Sequence, residues 1–493
     1  MKKREKSNPS EPVKAIIDAT ELRRIFQKSS DVQFQEYTFK QRKVMFITCD
    51  AMIDRHLLNA VVIERVQLFF DALKKISFEE AVESYLHIPE IKKIEGKSEI
   101  VSSVYSGRVL LYFEDYDVLY SSNIANIPNR TPEESNIEVP VKGARDNFIE
   151  DLSINIALIR KRLPTDSLCV EKFELGKRTK TTVAILYFDD IANKEILNEI
   201  KERMNKVDID IIFSGDILME QIDNGSNIFP KHDYTGRPDH AVQSLARGRF
   251  LILVDGVTYG IITPVNLFLL LKTAEDNEYP TIFSSFARLL RLSSLLIGII
   301  LPATWLALTT FHQNQLPMLL LATVVQSQRG LPLPSVIEML LMLIMFELFR
   351  EAGLRLPSAI GGTISVVGGL IIGDAAIQAG ITSPAMIVII AVSTIATYTL
   401  VNQSLVAAVS ILRFFSVILT AFLGFFGLFT SIFFIILYLA NMRTFGVPYL
   451  NVVADLSWFT VKKTMLRLPQ KDYVERPHEL SPKDKIRLKE DEK

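Results

Sequence analysis

The chain has 493 residues, a formal net charge of −1 and a mean hydropathy of +0.23. This length predicts two or three structural units rather than one, and the near-zero charge gives no indication of nucleic-acid binding. Only eight charged residues lie between Leu292 and Met442, and none of them is lysine. The sequence therefore divides into a soluble-type part, an apolar part and a charged tail.

The first residues and the cysteines indicate a cytoplasmic location for the soluble part. Basic residues in the segment 1–14 are followed by no apolar run, so we expect no signal peptide. We predict a disordered N-terminus at 1–20. Cys49 and Cys169 are the only cysteines, and their separation fits no metal spacing. We expect both to be reduced and buried, with no metal and no cofactor.

Two tandem α/β units are predicted, at 21–135 and 136–285. Apolar periodicity predicts strands at 43–48, 109–115, 181–190, 210–215 and 249–256, and helices at 55–73, 148–163 and 194–207. Strands that alternate with helices predict a partly parallel sheet covered by helices. The segment 121–143 is rich in Pro, Asn and Ser and is predicted to be a linker or an extended crossover.

The soluble part carries no recognisable catalytic or nucleotide-binding motif. His232 and His240 lie close to Asp233 and Asp239, but their spacing fits no metal template. We predict a surface loop there, and we expect that the protein is not an enzyme.

A membrane-spanning helical bundle is predicted at 286–445, followed by a cytoplasmic amphipathic and charged tail at 446–493. The candidate segments are 293–311, 315–326, 336–349, 358–380, 384–402 and 414–442. The second is short and could be re-entrant or interfacial, and the last is interpreted as one tilted helix.

The basic residues that flank these segments predict the orientation of the bundle. They fall into four clusters, which the positive-inside rule places in the cytoplasm: Arg288 with Arg291, Arg350 with Arg355, Arg413, and Lys462 with Lys463 and Arg467. Five simple crossings cannot put both ends of the bundle on that side. Either one segment does not cross, or the last run is more complicated than one helix.

Polar residues inside the apolar segments are the candidate functional residues. Asp374 and Gln378 are four residues apart and share a helix face, which is predicted to face other helices or water. Ionisable residues at membrane depth usually mark an ion path, although a hydrogen-bonded packing pair is the alternative. Glu338 fits an entrance or an interfacial role equally well. Glu347 is predicted to pair with Arg350 as a structural residue.

Small residues recur every four positions on the helix that carries Asp374. They are Gly361, Ser365, Gly369 and Gly373. Such a stripe permits close packing of helices in lipid.

Several stretches, taken in order, resemble one family: the A subunits of the nutrient germinant receptors of bacterial endospores. The stretches are 139–163, 235–239, 248–256, 350–357, 368–380 and 444–450. The most specific are TFGVPYL and REAGLRLP, and the latter contains Arg350, Glu351, Arg355 and Pro357. The family usually has Glu at the position of Gly236. It also has G-Q-A-A-V-E-A-G where this chain has GDAAIQAG, so the acid and the amide are exchanged.

The resemblance implies a multidomain membrane protein, with N-terminal tandem α/β soluble units followed by an α-helical transmembrane bundle. It implies a location in the spore inner membrane, with a transporter-like B subunit and a lipoprotein C subunit as partners. The B subunit would bind the nutrient. The A subunit would oligomerise into a channel that releases monovalent cations. The residues that we expect along its path or gate are those chosen above for their polarity within the apolar segments, Asp374, Gln378 and Glu338.

Two other functions remain open at this point. A secondary transporter of a small nutrient or ion would contain an internal repeat with broken helices, and no convincing repeat is present among the apolar segments. A non-conducting scaffold of the receptor complex would tolerate Asp374→Asn.

Overall fold

The computed structural model describes residues 18–72, 78–126, 144, 146–223, 227–355, 373–450 and 458–487. Two β-sheets with flanking helices occupy the N-terminal half, and helices dominate the C-terminal half. The segment 1–17 and most of 121–143, predicted as a disordered end and a linker, lie outside the described residues.

The first sheet has five strands in the order β1-β2-β4-β5-β3. Its strands are β1 (Val32–Phe39), β2 (Arg42–Cys49), β3 (Lys92–Ile94), β4 (Arg108–Phe113) and β5 (Val118–Asn123). The main helices around it are α1 (Ala19–Ile25), α2 (Glu64–Ala72), α3 (Phe78–Tyr85) and α4 (Lys97–Tyr105); a short turn Arg55–Leu57 and a π-helix Leu58–Ile63 precede α2.

The second sheet repeats this strand order as β6-β7-β9-β10-β8. Its strands are β6 (Leu168–Leu175), β7 (Thr181–Phe188), β8 (Asp233–Thr235), β9 (Phe250–Val254) and β10 (Gly260–Thr263). The main helices around it are α5 (Leu152–Arg162), α6 (Lys194–Asn205), α7 (Gly215–Asp223) and α8 (Pro238–Leu245). The two units thus share one topology.

The expectation of a partly parallel sheet is wrong, because every strand pair within both sheets is antiparallel in the described residues. The continuous apolar runs reflect burial on both faces rather than strand direction. In β2, Val44 and Phe46 pack into one core, whereas Met45 and Ile47 pack into the core on the opposite face.

Short turns explain why neighbouring strands reverse direction. Lys40 and Gln41 join β1 to β2 as a two-residue turn, and both have positive φ angles, of 46° and 70°. Such turns match the twist of a hairpin, whereas a parallel pair needs a crossover of a dozen or more residues. No strand was predicted from sequence at β1, whose sequence is VQFQEYTF. β1 lies at the edge of the sheet and is largely exposed, so it lacks the continuous apolar run that marks the central strands.

Two further local predictions differ from the structure. The segment 210–215 is not a strand, and α7 begins at Gly215. The predicted linker 121–143 begins inside β5, where Ser121 pairs with Leu110 and Lys92. A short apolar run is ambiguous between strand, helix and loop, and it is decided by its tertiary contacts.

A buried ion pair joins the two units. The guanidinium of Arg160, at the end of α5, donates to both carboxylate oxygens of Asp31, over 2.9 and 3.0 Å. Neither side chain is more than 3 % exposed. Arg160 also donates to the Leu168 carbonyl and stacks on the ring of Tyr105, 4.0 Å from its centroid. The first unit is therefore anchored to the second through a desolvated, fully partnered charge pair.

The C-terminal half contains six helices longer than ten residues within its described part. They are α9 (Thr281–Thr310), α10 (Met318–Gln328), α11 (Ser335–Arg355), α12 (Pro384–Tyr398), α13 (Gln403–Leu423) and α14 (Phe425–Asn441). In the described residues, α9 and α13 are long and apolar enough to cross a membrane by length and composition alone. A two-residue hairpin, β11 (Arg443–Thr444) with β12 (Val447–Pro448), and a short helix, α15 (Trp458–Met465), follow.

The interpretation of 414–442 as one helix is wrong, because α13 and α14 are separate helices joined at Gly424. Gly424 has a positive φ of 59°, and it ends α13 and caps α14. A Cβ atom at Gly427 would collide with the carbonyl oxygen of Leu419. The two helices α13 and α14 thus form a helical hairpin. The hairpin fits into this part of the chain because α13 begins at Gln403, well before the predicted start at 414.

Contacts at the helix ends show how α9, α13 and α14 run. At one end, His312 stacks near Phe425 beside the Gly424 turn, 4.8 Å between ring centroids. At the other end, Asn402 donates to Asp233 of β8 over 2.9 Å, and the backbone of Ile228 donates to the Tyr438 hydroxyl over 3.3 Å. Both arms of the hairpin therefore start or finish on the second α/β unit.

We expect Arg160→Met to destabilise the N-terminal half by about 3–5 kcal/mol, because it leaves Asp31 buried without a counter-charge. Urea unfolding of the full-length chain in detergent measures this. The double variant Asp31→Leu/Arg160→Met should recover much of the loss.

Arg178→Met is the matched control, because Arg178 forms an exposed pair with Asp210, with 77 % of its side chain accessible. Exposed pairs contribute little. Equal effects of Arg160→Met and Arg178→Met would contradict the anchoring role of the buried pair.

Candidate functional site among the C-terminal helices

Asp374 and Gln378 lie on the exposed side of their helical turn in the single chain. The Gln378 amide donates to the Asp374 carboxylate over 2.6 Å. Gly373 and Ala376 face inward, and a Cβ at Gly373 would make ordinary contact with Ile387 at 3.7 Å. The other members of the small-residue stripe, Gly361, Ser365 and Gly369, lie outside the described residues, as does Pro357.

Glu338 is buried between α11 and the start of α12, with 1 % of its surface exposed. Its Oε1 atom accepts hydrogen bonds from the Thr382 hydroxyl, the Ser383 backbone and the Ser383 hydroxyl, at 2.8, 2.7 and 3.0 Å. The carboxylate therefore lies at the positive N-terminal end of α12. Its Oε2 atom has no hydrogen-bond partner in the described part of the chain.

Glu347 binds two arginines, and these three residues with Ser393 and Ser410 are called the Glu347 cluster here. One Glu347 oxygen pairs with Arg350, which confirms the predicted pairing, and the other lies 3.2 Å from Arg413. Arg350 also donates to Ser410 over 2.7 Å. The cluster joins α11 to α13.

The cluster extends to two more helices through hydroxyl groups. Arg413 lies 3.4 Å from the Ser393 hydroxyl of α12, which donates to the Gly298 carbonyl of α9 over 3.1 Å. A Cβ at Gly298 would lie 3.0 Å from Val409, so α9 and α13 cross closely there. Four helices are therefore tied together at one level.

The placement of Arg413 on a cytoplasmic flank is wrong. Arg413 is the eleventh of the 21 residues of α13 and is only 1 % exposed. The error follows from starting the last segment at 414, after the arginine, because the apolar residues before it were not counted in the same helix. Apolar residues on both sides of Arg413, from Leu405 to Leu412 and from Phe414 onward, are the signal that could have identified it.

The Glu347 cluster carries two guanidinium groups and one carboxylate. The Nε atoms of both Arg350 and Arg413 have no hydrogen-bond partner in the described residues. Buried charge is costly unless it is paired, so the carboxylate is essential to the arrangement. A cluster with excess positive charge also repels a small cation. It therefore suits a packing role better than a cation-binding role.

The first long helix is fixed to the second α/β unit by another carboxylate. Asp276 accepts from Arg288 at 2.8 Å and from Arg291 at 3.0 Å, both near the start of α9. Burial would raise the pKa of Asp276, but these two arginines outweigh burial and hold the pKa below its ordinary value. The group therefore stabilises the junction above the ordinary pKa of an aspartate, and this contribution is lost as the pH falls through the lowered value.

The prediction of a surface loop around the two histidines is also wrong. His232 lies 2.9 Å from Asp223, and His240 lies 2.9 Å from Asp233. Both rings are buried, since β8 and α8 form there rather than a loop. Asp233 also accepts from Asn402, so the His240 pair is part of the contact between the sheet and α13.

The motif REAGLRLP divides between two environments. Arg350 belongs to the Glu347 cluster, whereas Glu351 and Arg355 pair with one another at the exposed end of α11, over 2.6 Å. Within the described residues, no group of three or more His, Cys, Asp or Glu side chains is placed to hold a metal ion.

Comparison with known proteins assigns the family. The sequence model described as "Bacillus/Clostridium GerA spore germination protein" matches residues 20–479. The chain belongs to the GerA family. The match covers both sheets, the Glu347 cluster and most of the C-terminal tail.

Among its relatives, the chain is 40 % identical to "Spore germination protein XA" of Bacillus anthracis, over 90 % of this chain and 91 % of that protein. It is 31 % identical to "Spore germination protein KA" of Bacillus subtilis, over 94 % of this chain and 86 % of that protein. It is also similar to a solved structure, the N-terminal domain of the A subunit of the Bacillus megaterium spore germinant receptor GerK3. That comparison gives a TM-score of 0.38 and 24 % identity, covering 50 % of this chain and 93 % of that one.

We expect Glu347→Gln to lower the thermal unfolding midpoint of the full-length chain in detergent. The buried Arg413 and the half-buried Arg350 would lose their counter-charge, at a cost of about 3–5 kcal/mol. Arg413→Met should cost less, because it leaves Glu347 and Arg350 as a balanced pair.

Arg355→Gln, at the exposed end of the same helix, is the control and should leave the midpoint nearly unchanged. If Arg413→Met proves as damaging as Glu347→Gln, the charge balance proposed for the cluster is incorrect.

Proposed function

We propose that this chain is the A-type membrane subunit of a nutrient germinant receptor that triggers spore germination. Membership of the GerA family supports the germination role. The relatives named as spore germination proteins, aligned over nine-tenths of the chain, support the same role. On this proposal the receptor lies in the spore inner membrane, and a transporter-like B subunit and a lipoprotein C subunit are its partners.

We propose that the C-terminal helices span this membrane and that the two α/β units lie in the cytoplasm. The apolar lengths of α9 and α13 support a spanning bundle. Many large apolar side chains on α9 to α14 are exposed in the single chain, including Phe422, Phe426 and Phe429 at 66–79 %. Lipid would cover this surface. Lys462 and Lys463, on the helix that follows, suit the cytoplasmic side.

The observation that carries the conducting role is the exposed Asp374–Gln378 pair. A carboxylate on a lipid-facing surface would cost several kcal/mol, about 2.5–3.5 on insertion scales. Assembly of several subunits around a common axis would place this face in a water-filled lumen instead. We propose that the pair lines a path for monovalent cations formed between subunits, and that the chain catalyses no reaction.

The buried charges support a path between subunits rather than through one subunit. The Glu347 cluster has an excess of positive charge and lies between α9, α11, α12 and α13. A cation that passed through the single-chain bundle would meet this positive charge. At the exposed face it would meet the carboxylate of Asp374.

We expect Asp374→Asn to reduce nutrient-triggered potassium release from spores by about tenfold or more, because the path would lose its charged oxygens. A tenfold change corresponds to a loss of about 1.4 kcal/mol in the interaction between the cation and the path. Release is measured with a potassium electrode, and receptor levels are checked by immunoblot.

The matched control is Asp374→Gln/Gln378→Glu, which returns the carboxylate to the same helix face one turn away. This double variant should retain release. Normal release from Asp374→Asn would instead favour the non-conducting scaffold, in which Asp374 only pairs with Gln378.

A second test addresses oligomerisation. Both native cysteines are buried, and burial raises the pKa of the Cys169 thiol to about 11 and that of Cys49 further, so neither reacts readily. Gln378→Cys would introduce an exposed thiol at the proposed lumen. We expect mild oxidation in membranes to give disulfide-linked dimers of this variant.

Phe422→Cys is the control, because Phe422 is 79 % exposed on α13 but belongs to the surface proposed to face lipid. It should cross-link much more slowly. Equal rates for the two variants, or only monomers from Gln378→Cys, would exclude a lumen at this helix face.

A further inference from the structure

A basic cavity lies where the second α/β unit, the start of α9 and the C-terminal segment meet. Its volume is about 290 Å³, close to the small end of ligand cavities. Seven cationic side chains and two carboxylates line it, so positive charge is in clear excess. None of the residues proposed for the ion path belongs to it.

Some of these cations already have partners. Arg288 is held by Asp276, and Arg476 pairs with Asp484 over 2.7 Å. Lys463 donates to the Glu475 carbonyl over 2.6 Å. Of the two carboxylates, Glu479 accepts from Asn266 over 3.1 Å, and Glu475 lies 2.8 Å from His478. These contacts fix the walls of the cavity.

Apart from the exposed Arg487, three other cations form no ion pair within the described residues, although Glu479 attracts two of them, Arg249 and Lys272. Arg247 and Lys272 are half-buried, and their charged groups make no ion pair or hydrogen bond there. Arg249 is 2 % exposed and donates to the Pro264 carbonyl, but its Nε atom is buried without a partner. Unpaired buried charge destabilises a fold, so this arrangement calls for an anion.

The electrostatic consequences agree with the geometry. Burial, together with Arg288 and Arg247, lowers the pKa of Lys272 well below its ordinary value. Burial and the neighbouring arginines lower the pKa of Arg247 to about 10. Both shifts mean that the charged forms are disfavoured at this position, and a bound anion would stabilise them.

We propose that this cavity binds a phosphate-bearing anion through Arg247, Arg249 and Lys272. Guanidinium groups donate in a planar fork to phosphate oxygens, and an ammonium adds a point charge. The bound anion would connect the second α/β unit to the C-terminal segment beside Arg288. The source is either a soluble phosphate compound or a phospholipid headgroup, since Arg288 lies close to the start of the apolar part of α9.

The test uses the full-length chain in nanodiscs, with Lys272→Met as the variant. This variant is expected to fold, because it removes an unpaired charge and keeps the aliphatic stem. Binding is followed by the thermal unfolding midpoint, with inorganic phosphate added to discs of phosphatidylcholine, or with phosphatidylglycerol included in the discs. Lys462→Gln is the control, since Lys462 is exposed on α15 next to the cavity residue Lys463 and does not itself line the cavity.

We expect at least about tenfold weaker anion binding in Lys272→Met than in wild type or Lys462→Gln, as expected for loss of one charge-assisted bond. Stabilisation by inorganic phosphate in neutral discs would identify a soluble source. Stabilisation only in phosphatidylglycerol discs would identify a lipid headgroup. If neither anion stabilises the wild type, or if Lys272→Met responds like the wild type, the proposal is incorrect. The readout is independent of potassium release, so it can fail without affecting the proposed channel.

Discussion

Burial of charge among apolar helices is the constraint on which the C-terminal half depends. The Glu347 carboxylate contacts both Arg350 and Arg413, and the hydroxyls of Ser410 and Ser393 add further contacts to them. An apolar core of equal volume would cost less desolvation, but it would not fix one register between α11 and α13. The hydrogen bond from Ser393 to Gly298 brings α9 to the same level. A single half-buried carboxylate thus helps to align four helices.

The same principle connects these helices to the α/β units. Asp276 holds Arg288 and Arg291 at the start of α9, and Asp233 binds both His240 and Asn402 at the start of α13. Asp31 and Arg160 hold the first unit to the second. These contacts are buried or half-buried, and each joins two structural elements through an ion pair or a hydrogen bond. A continuous series of polar contacts therefore connects the first sheet to the C-terminal helices.

Periodicity identified most long helices and the central strands, because burial on one or both faces leaves a local pattern. The apolar run 181–190 corresponds to β7, and the helix predicted at 194–207 corresponds to α6. Strand direction was not predictable in this way, since β2 is equally apolar whether its neighbours run parallel or antiparallel. The break at Gly424 and the interior position of Arg413 depend on packing against α9 and α11. Asp374 could be found from sequence, but its exposure in a single chain could not.

The distribution of charge gives a reason for the chain to act as an assembly. Within the described residues, the bundle core holds the positively charged Glu347 cluster and the buried Glu338, whose free oxygen Oε2 points into protein. The outer face holds Asp374 and Gln378. On the proposed function, a path through one subunit would pass the positive Glu347 cluster, whereas a path between subunits would pass one Asp374 carboxylate from each subunit. On this proposal, the conducting element is therefore complete only when several copies meet.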